Sequence, residues 1–159
     1  MSGKITTCLW FDTEAEEAAE FYCTLFPDSK IVAVSHYGEA GPRPAGSVLT
    51  VDFELDGRPY VALNGGPDFR FTEAVSFQVS CADQDEVDQY WDTLTADGGE
   101  EGQCGWLKDR FGLSWQIVPT ALPRLLSDPD PGRSNRAMQA MLGMKRLDIA
   151  AMQAAADGA

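Results

Sequence analysis

The sequence predicts an α+β fold: tandem β-α-β-β-β modules forming curved mixed sheets, followed by C-terminal helices. Three observations predict it. Short β-prone runs and one helical stripe follow each other in the same order twice. A strong hairpin signal, Asp56-Gly57, lies among the strands of the first set. The two sets also align at a constant shift of 69 residues, which places Tyr22 on Trp91.

The first module spans residues 4–64. Ile5 to Phe11 is an apolar strand candidate. Thr13 and Glu16 have the spacing of a capping box, and Ala15, Ala18, Ala19, Tyr22, Leu25 and Phe26 give the helix after them one apolar face. Pro27 stops it. Strands are expected over Lys30 to Tyr37, Gly46 to Leu55 and Arg58 to Leu63, the last two joined by Asp56-Gly57. Residues 65–74, opening with Gly65-Gly66-Pro67, read as a linker.

The second module covers 75–119 and repeats the order. Val75 to Cys81 is a strand. Asp83 and Glu86 start a helix whose stripe is Val87, Tyr90, Trp91 and Leu94, and Gly98-Gly99 ends it. Weak strands are expected at Glu101 to Cys104 and Trp106 to Arg110, then a turn at Phe111-Gly112 and a last strand from Ser114 to Val118. Glu20 to Leu25 falls on Gln89 to Leu94, with two adjacent aromatics and x-Thr-Leu in both. Residues 120–159 form a helical tail with apolar positions Leu122, Leu125, Leu126, Ala137, Met138, Met141 and Leu142 and a last helix from Leu147 to Ala155. Its helices are expected to pack on the domain or on a second subunit.

A chain of 159 residues suits one domain and needs no disulfide or metal staple. The net charge of −13 repels phosphate, so nucleic acid and anionic membrane are poor partners. Cys8, Cys23, Cys81 and Cys104 are far apart and form no C-x-x-C pair. With no membrane-length apolar run and no signal-peptide core, they favour a reducing, cytoplasmic location. A single histidine, His36, stands on a middle strand without a ligand motif beside it. No cofactor is expected, because no G-x-G-x-x-G turn or D-x-D-x-D-G loop occurs, and no G-x-S-x-G elbow marks a nucleophilic serine.

What remains is a pocket between strands. If Gln116 points into it, Ser114 and Val118 share its face, and Trp10, Trp106, Phe71 and Asn64 lie at strand ends or loops that could border it. Cys104, flanked by glycine and near Lys108 in sequence, is the thiol of most interest, since a close lysine lowers a thiol pKa. Aromatics with one neutral amide suit a small, planar, weakly polar organic ligand. Two functions fit: a metal-free binding protein, or a metal-independent enzyme of aromatic or quinone metabolism. Covering the exposed strand edges points to a homodimer.

Several stretches carry a family resemblance: Leu9-Trp10-Phe11-Asp12 with Glu16-Glu17-Ala18, Leu63-Asn64-Gly65-Gly66-Pro67, Gly102 to Asp109, Ser114 to Pro119, and Met144 to Ile149. With the doubled module order and D-x-F-G-x-x-W-Q-I, the chain resembles the vicinal-oxygen-chelate superfamily of glyoxalases and bleomycin-resistance proteins. It looks most like the PhnB-like branch labelled 3-demethylubiquinone-9 3-methyltransferase. Metal-using members of that superfamily hold a divalent ion with His and Glu at places that fall here near Ile5, Val61, Ala74 and Gln116. Three are apolar and the fourth is a neutral amide, so no catalytic metal is expected. The branch label implies S-adenosylmethionine, for which the sequence offers no glycine-rich turn.

Overall fold

A computed structural model describes residues 3–159 of the chain. It separates into two compact units, one ending at Arg70 and one running from Phe71 to Ala159.

The first unit holds β1 (Thr7–Phe11), α1 (Ala15–Cys23), β2 (Lys30–His36), β3 (Val48–Leu55) and β4 (Arg58–Asn64). They form one mixed sheet in the order β1-β4-β3-β2, with β1 parallel to β4 and the other pairs antiparallel. Period-two alternation sends Leu9, Phe11, Val51, Phe53, Leu55 and Ala62 to one face, where they are buried with Ala15, Ala18, Ala19 and Tyr22 of α1. Small alanines let the helix lie close on the strands. Asp56 and Gly57 both adopt positive φ, 51° and 72°, the signature of the tight hairpin read from their sequence.

The start of α1 differs from expectation. The Thr13–Glu16 capping box does not form, because the helix begins one residue later than that spacing requires. Its N-cap is Glu14, whose side chain does not cap the helix. Instead Ala15 N donates to Asn64 Oδ1 at 2.8 Å, so a residue 49 positions away satisfies the first turn. Asn64 Nδ2 donates to Val48 O, and the Tyr37 hydroxyl donates to Asn64 O at 2.6 Å. The helix also stops at Cys23, short of Leu25 and Phe26. Thr24 Oγ1 donates to Phe21 O and Leu25 N to Tyr22 O, tightening the chain out of α geometry.

The second unit repeats the design: β5 (Ser76–Cys81), α2 (Gln84–Thr95), β6 (Glu100–Glu101), β7 (Trp106–Lys108) and β8 (Ser114–Pro119). The sheet order is β5-β8-β7-β6, again with the first pair parallel. Tyr22 and Trp91, matched by the 69-residue shift, are both fully buried. Here the cap is the expected one: Asp83 Oδ1 accepts from Glu86 N, and the Glu86 carboxylate accepts from Ala82 N.

The strand expected at Glu101 to Cys104 shrinks to two residues, and Cys104 sits in a turn. Cys104 and Gly105 have φ of 57° and 84°, and Trp106 N donates to Gln103 O. The cause lies in the tail. Cys104 N and Gly105 N donate to Met144 O and Lys145 O, each at 2.8 Å, so neither N–H is available to a sheet ladder. After β7 the buried Asp109 organises the next turn: Oδ1 accepts from Phe111 N and Leu113 N, and Oδ2 from Trp115 Nε1.

The tail comprises α3 (Ala121–Leu126), α4 (Pro131–Leu142) and α5 (Ile149–Asp157). Leu122, Leu125, Ala137, Leu147, Met152 and Ala156 form its core, with Val118 of β8 against it. Arg136 donates to the last carbonyls of α5, Ala155 O and Ala156 O, where a cation is favoured by the helix dipole. Arg146 bridges to Asp88 and Asp92 of α2. The tail therefore belongs to the second unit. No helix among the described residues is long and apolar enough to cross a membrane.

Candidate functional site

The second sheet has a covered face and an open one. Trp115, Ile117 and Leu107 are buried on the side of α2. Alternation sends Ser114, Gln116 and Val118 of β8, with Trp106 and Lys108 of β7, to the other side. Strand register sets Ser76 beside Ser114, Gln78 beside Gln116, Trp106 beside Gln116 and Lys108 beside Ser114. The Gln116 amide donates to Ser76 Oγ at 2.9 Å, and Gln78 Nε2 donates to Gln116 Oε1 at 3.3 Å. Both ends of the Gln116 amide are thus held.

Around β6 and β7 lies a depression of about 420 Å³, to which Glu73, Glu100, Gln103, Trp106, Lys108 and Ser114 contribute, together with Glu101 and Leu107. Lys108 Nζ forms an ion pair with Glu73. The hydrogen bond from Lys108 holds the Glu73 carboxyl below the usual carboxylate range, and its counterpart holds the Lys108 ammonium above its ordinary value. Glu73 is therefore a fixed anion near neutral pH. Ser114 is 1% exposed, and its hydroxyl is buried without a hydrogen-bond partner among the described residues. Such a group costs about 1–3 kcal/mol unless something satisfies it.

Of the residues singled out from sequence, Gln116, Ser114 and Trp106 come together on this face. Cys104 is half-buried in the turn before β7 and does not border the depression. Lys108 is paired with Glu73, so the lysine expected to activate Cys104 is engaged elsewhere. Phe71 opens the second unit and is half-buried. Trp10 and Asn64 belong to the first unit. Trp10 Nε1 donates to Gly66 O and its ring meets the edge of Phe69, at 4.9 Å between centroids. Asn64 is 6% exposed, with both amide atoms bonded as described. Glu73, Glu100 and the Ser76–Gln78 pair were not singled out. The hairpin register that sets Glu100 opposite Lys108 is the signal that would have found the second of these.

The residues present do not fit a divalent ion. Among the described residues no group of three or more His, Cys, Asp or Glu is placed to hold one. Ile5, Val61 and Ala74 offer no donor side chain, and the Gln116 amide is uncharged and already bonded. S-adenosylmethionine fits no better at the strand-to-helix turns. Neither Asp12-Thr13-Glu14 nor Ala82-Asp83 contains glycine, and Ala15 N, Ala82 N and Glu86 N are already capped by side chains.

A doubled strand–helix–three-strand unit, each copy with the same strand order, is the fold of the glyoxalase and resistance-protein class. The family model described as 3-demethylubiquinone-9 3-methyltransferase matches residues 3–118, and the chain belongs to that PhnB-like family. The PhnB protein from Bacillus cereus, described by the same methyltransferase name, is 35% identical with a TM-score of 0.68, over 74% of this chain and 100% of that one. Protein PA1353 from Pseudomonas aeruginosa shares the fold at 19% identity and a TM-score of 0.60, over 74% and 98% of the two chains. The fosfomycin resistance protein FosX from Listeria monocytogenes does so at 18% identity and a TM-score of 0.51, over 79% and 98%. No curated protein matches the sequence significantly. The family match ends at β8, so the three tail helices lie outside it.

Proposed function

We propose that the chain binds a small, planar, weakly polar organic molecule on the open face of its second sheet, without a metal. The observation that carries this reading is the buried, unpartnered Ser114 hydroxyl in a depression walled by Trp106. An indole supplies a flat apolar surface, and the hydroxyl supplies one directional hydrogen bond. The Gln116 amide, paired across the strands with Trp106, is pinned by Ser76 and Gln78. The protein acts as a homodimer in a reducing cytoplasm in this reading. Support comes from β2, an outer strand exposed along all of its seven residues, and from four free cysteines.

Calorimetric titration with 2-naphthol and 6-aminoquinoline tests binding. Saturable heats are expected from the native chain, with losses of about five- to tenfold in Ser114→Ala and Trp106→Ala, as one hydrogen bond or one aromatic contact implies. Absence of binding, or full binding by both variants, would overturn the reading.

The family name favours a second reading, a metal-independent enzyme of aromatic or quinone metabolism that includes methyl transfer. Glu73 and Glu100 are the carboxylates that could serve as its acid or base, and the hydrogen bond from Lys108 makes Glu73 a weaker base than a free carboxylate would be. A binder returns its ligand unchanged, whereas an enzyme converts it. Micromolar binding of S-adenosylmethionine in the calorimeter would favour methyl transfer.

A further inference from the structure

We infer that the ligand of this site carries a delocalised positive charge, as an N-alkylated heteroaromatic ring does; this rests on the binding reading above and narrows its substrate class. The charged groups at the depression are Glu73, Glu100, Glu101 and Lys108, three carboxylates against one ammonium. Lys145, from the tail, reaches Glu101 Oε2 at 4.0 Å, and Trp91 Nε1 donates to the other oxygen of that carboxylate at 2.8 Å. Glu101 is thereby committed to the scaffold, and Glu73 is committed to Lys108.

Glu100 is different. Among the described residues its carboxylate makes no hydrogen bond or close ion pair, although strand pairing sets it opposite Lys108, whose charge it also supports. One carboxylate at the depression that Trp106 also lines is therefore held by no direct partner. The acidic rim alone would be an ordinary solvated surface. The buried Ser114 hydroxyl makes it a site, because that group points to a ligand independently of the rim.

Chemistry then selects the ligand. An anion meets three carboxylates and a chain of net charge −13, and no unpaired cation at the rim receives it. A compact ammonium is strongly hydrated and gains little at an exposed carboxylate. A planar cation with spread charge loses less hydration, stacks on Trp106 through the ring quadrupole, and places its charge toward Glu100. A donor substituent on the ring would reach Ser114 Oγ.

The test uses three probes of one shape: 6-amino-1-methylquinolinium, neutral 6-aminoquinoline and anionic 6-amino-2-naphthoate, titrated by calorimetry into the full chain at 20 and 500 mM salt. The cation should bind about fivefold more tightly than the neutral probe at low salt, and this margin should shrink at high salt. Glu100→Gln should abolish the margin between the cationic and the neutral probe, whatever the variant does to the affinity of either alone. Equal or tighter binding of the neutral or anionic probe refutes the charge assignment and leaves the binding site standing. No binding by any of the three refutes both. A margin that survives Glu100→Gln also refutes the assignment.

Discussion

Removing the Ser114 hydroxyl should make the free protein more stable and the binding site weaker. Most buried serines lose stability on truncation, because the change breaks a hydrogen bond. Here the oxygen is buried with no partner among the described residues, so Ser114→Ala deletes a desolvated polar atom and breaks no hydrogen bond they make. The desolvation of an unsatisfied hydroxyl costs about 1–3 kcal/mol, and Ala leaves little empty volume. A gain of about 1 kcal/mol is expected, or roughly 2–4 °C in melting temperature for a chain of this size. Urea denaturation of the ligand-free protein measures it as a higher midpoint with an unchanged slope. The same variant should lose about five- to tenfold in affinity for 6-aminoquinoline, the equivalent of one lost hydrogen bond. A variant less stable than the native chain by 1 kcal/mol would show that the hydroxyl is satisfied, and the site would lose its main support.

Asn64→Ala strands the buried Ala15 N–H and frees Val48 O, so a loss of about 2–3 kcal/mol is expected in urea denaturation, whereas Asn64→Asp keeps the acceptor and should lose about half as much. Gly105→Ala forces a side chain into left-handed backbone, with its Cβ 2.9 Å from Ile117 O and 3.0 Å from Leu147 Cδ1, and should lose at least about 2 kcal/mol. Burial raises the Cys81 thiol from 9.0 to about 12, with Glu86 and Asp83 adding to the shift. The fold holds that proton after the unfolded chain has released it. Stability contributed by this group is therefore complete below pH 9 and falls between pH 9 and 12, by up to about 1.4 kcal/mol per pH unit. Denaturation of Cys81→Ala across that range should show a shallower decline.

Legibility in the sequence followed the range of the interactions. Periodicity revealed the strands and both helices, because alternation at Leu9 and Phe11 and the stripe ending in Trp91 are properties of neighbouring residues. Asp56-Gly57 was readable because a two-residue turn carries its own backbone demand. The cap on α1 was not, since Asn64 reaches it only after the sheet has formed. Cys104-Gly105 makes a tight turn without the usual Asn-Gly, and its N–H groups are claimed by tail carbonyls some 40 residues on, so a strand was expected there. At the site, alternation along β8 is what groups Ser114 with Gln116. Glu73 and Glu100 were missed because they reach the depression from a loop and from the outer strand of the sheet, through register that one strand's pattern does not contain.

The four indole N–H groups of this chain allow a direct reading of where a ligand sits. Those of Trp10, Trp91 and Trp115 donate to Gly66 O, Glu101 and Asp109. Trp106 lines the open face of the second sheet. In a ¹⁵N-correlated NMR titration with 6-amino-1-methylquinolinium, the Trp106 indole signal should move most, with the backbone amide of Ser114, while Trp10 and Trp115 stay in place. Shifts centred on Trp10, or spread over all four indoles alike, would contradict a binding site on that face.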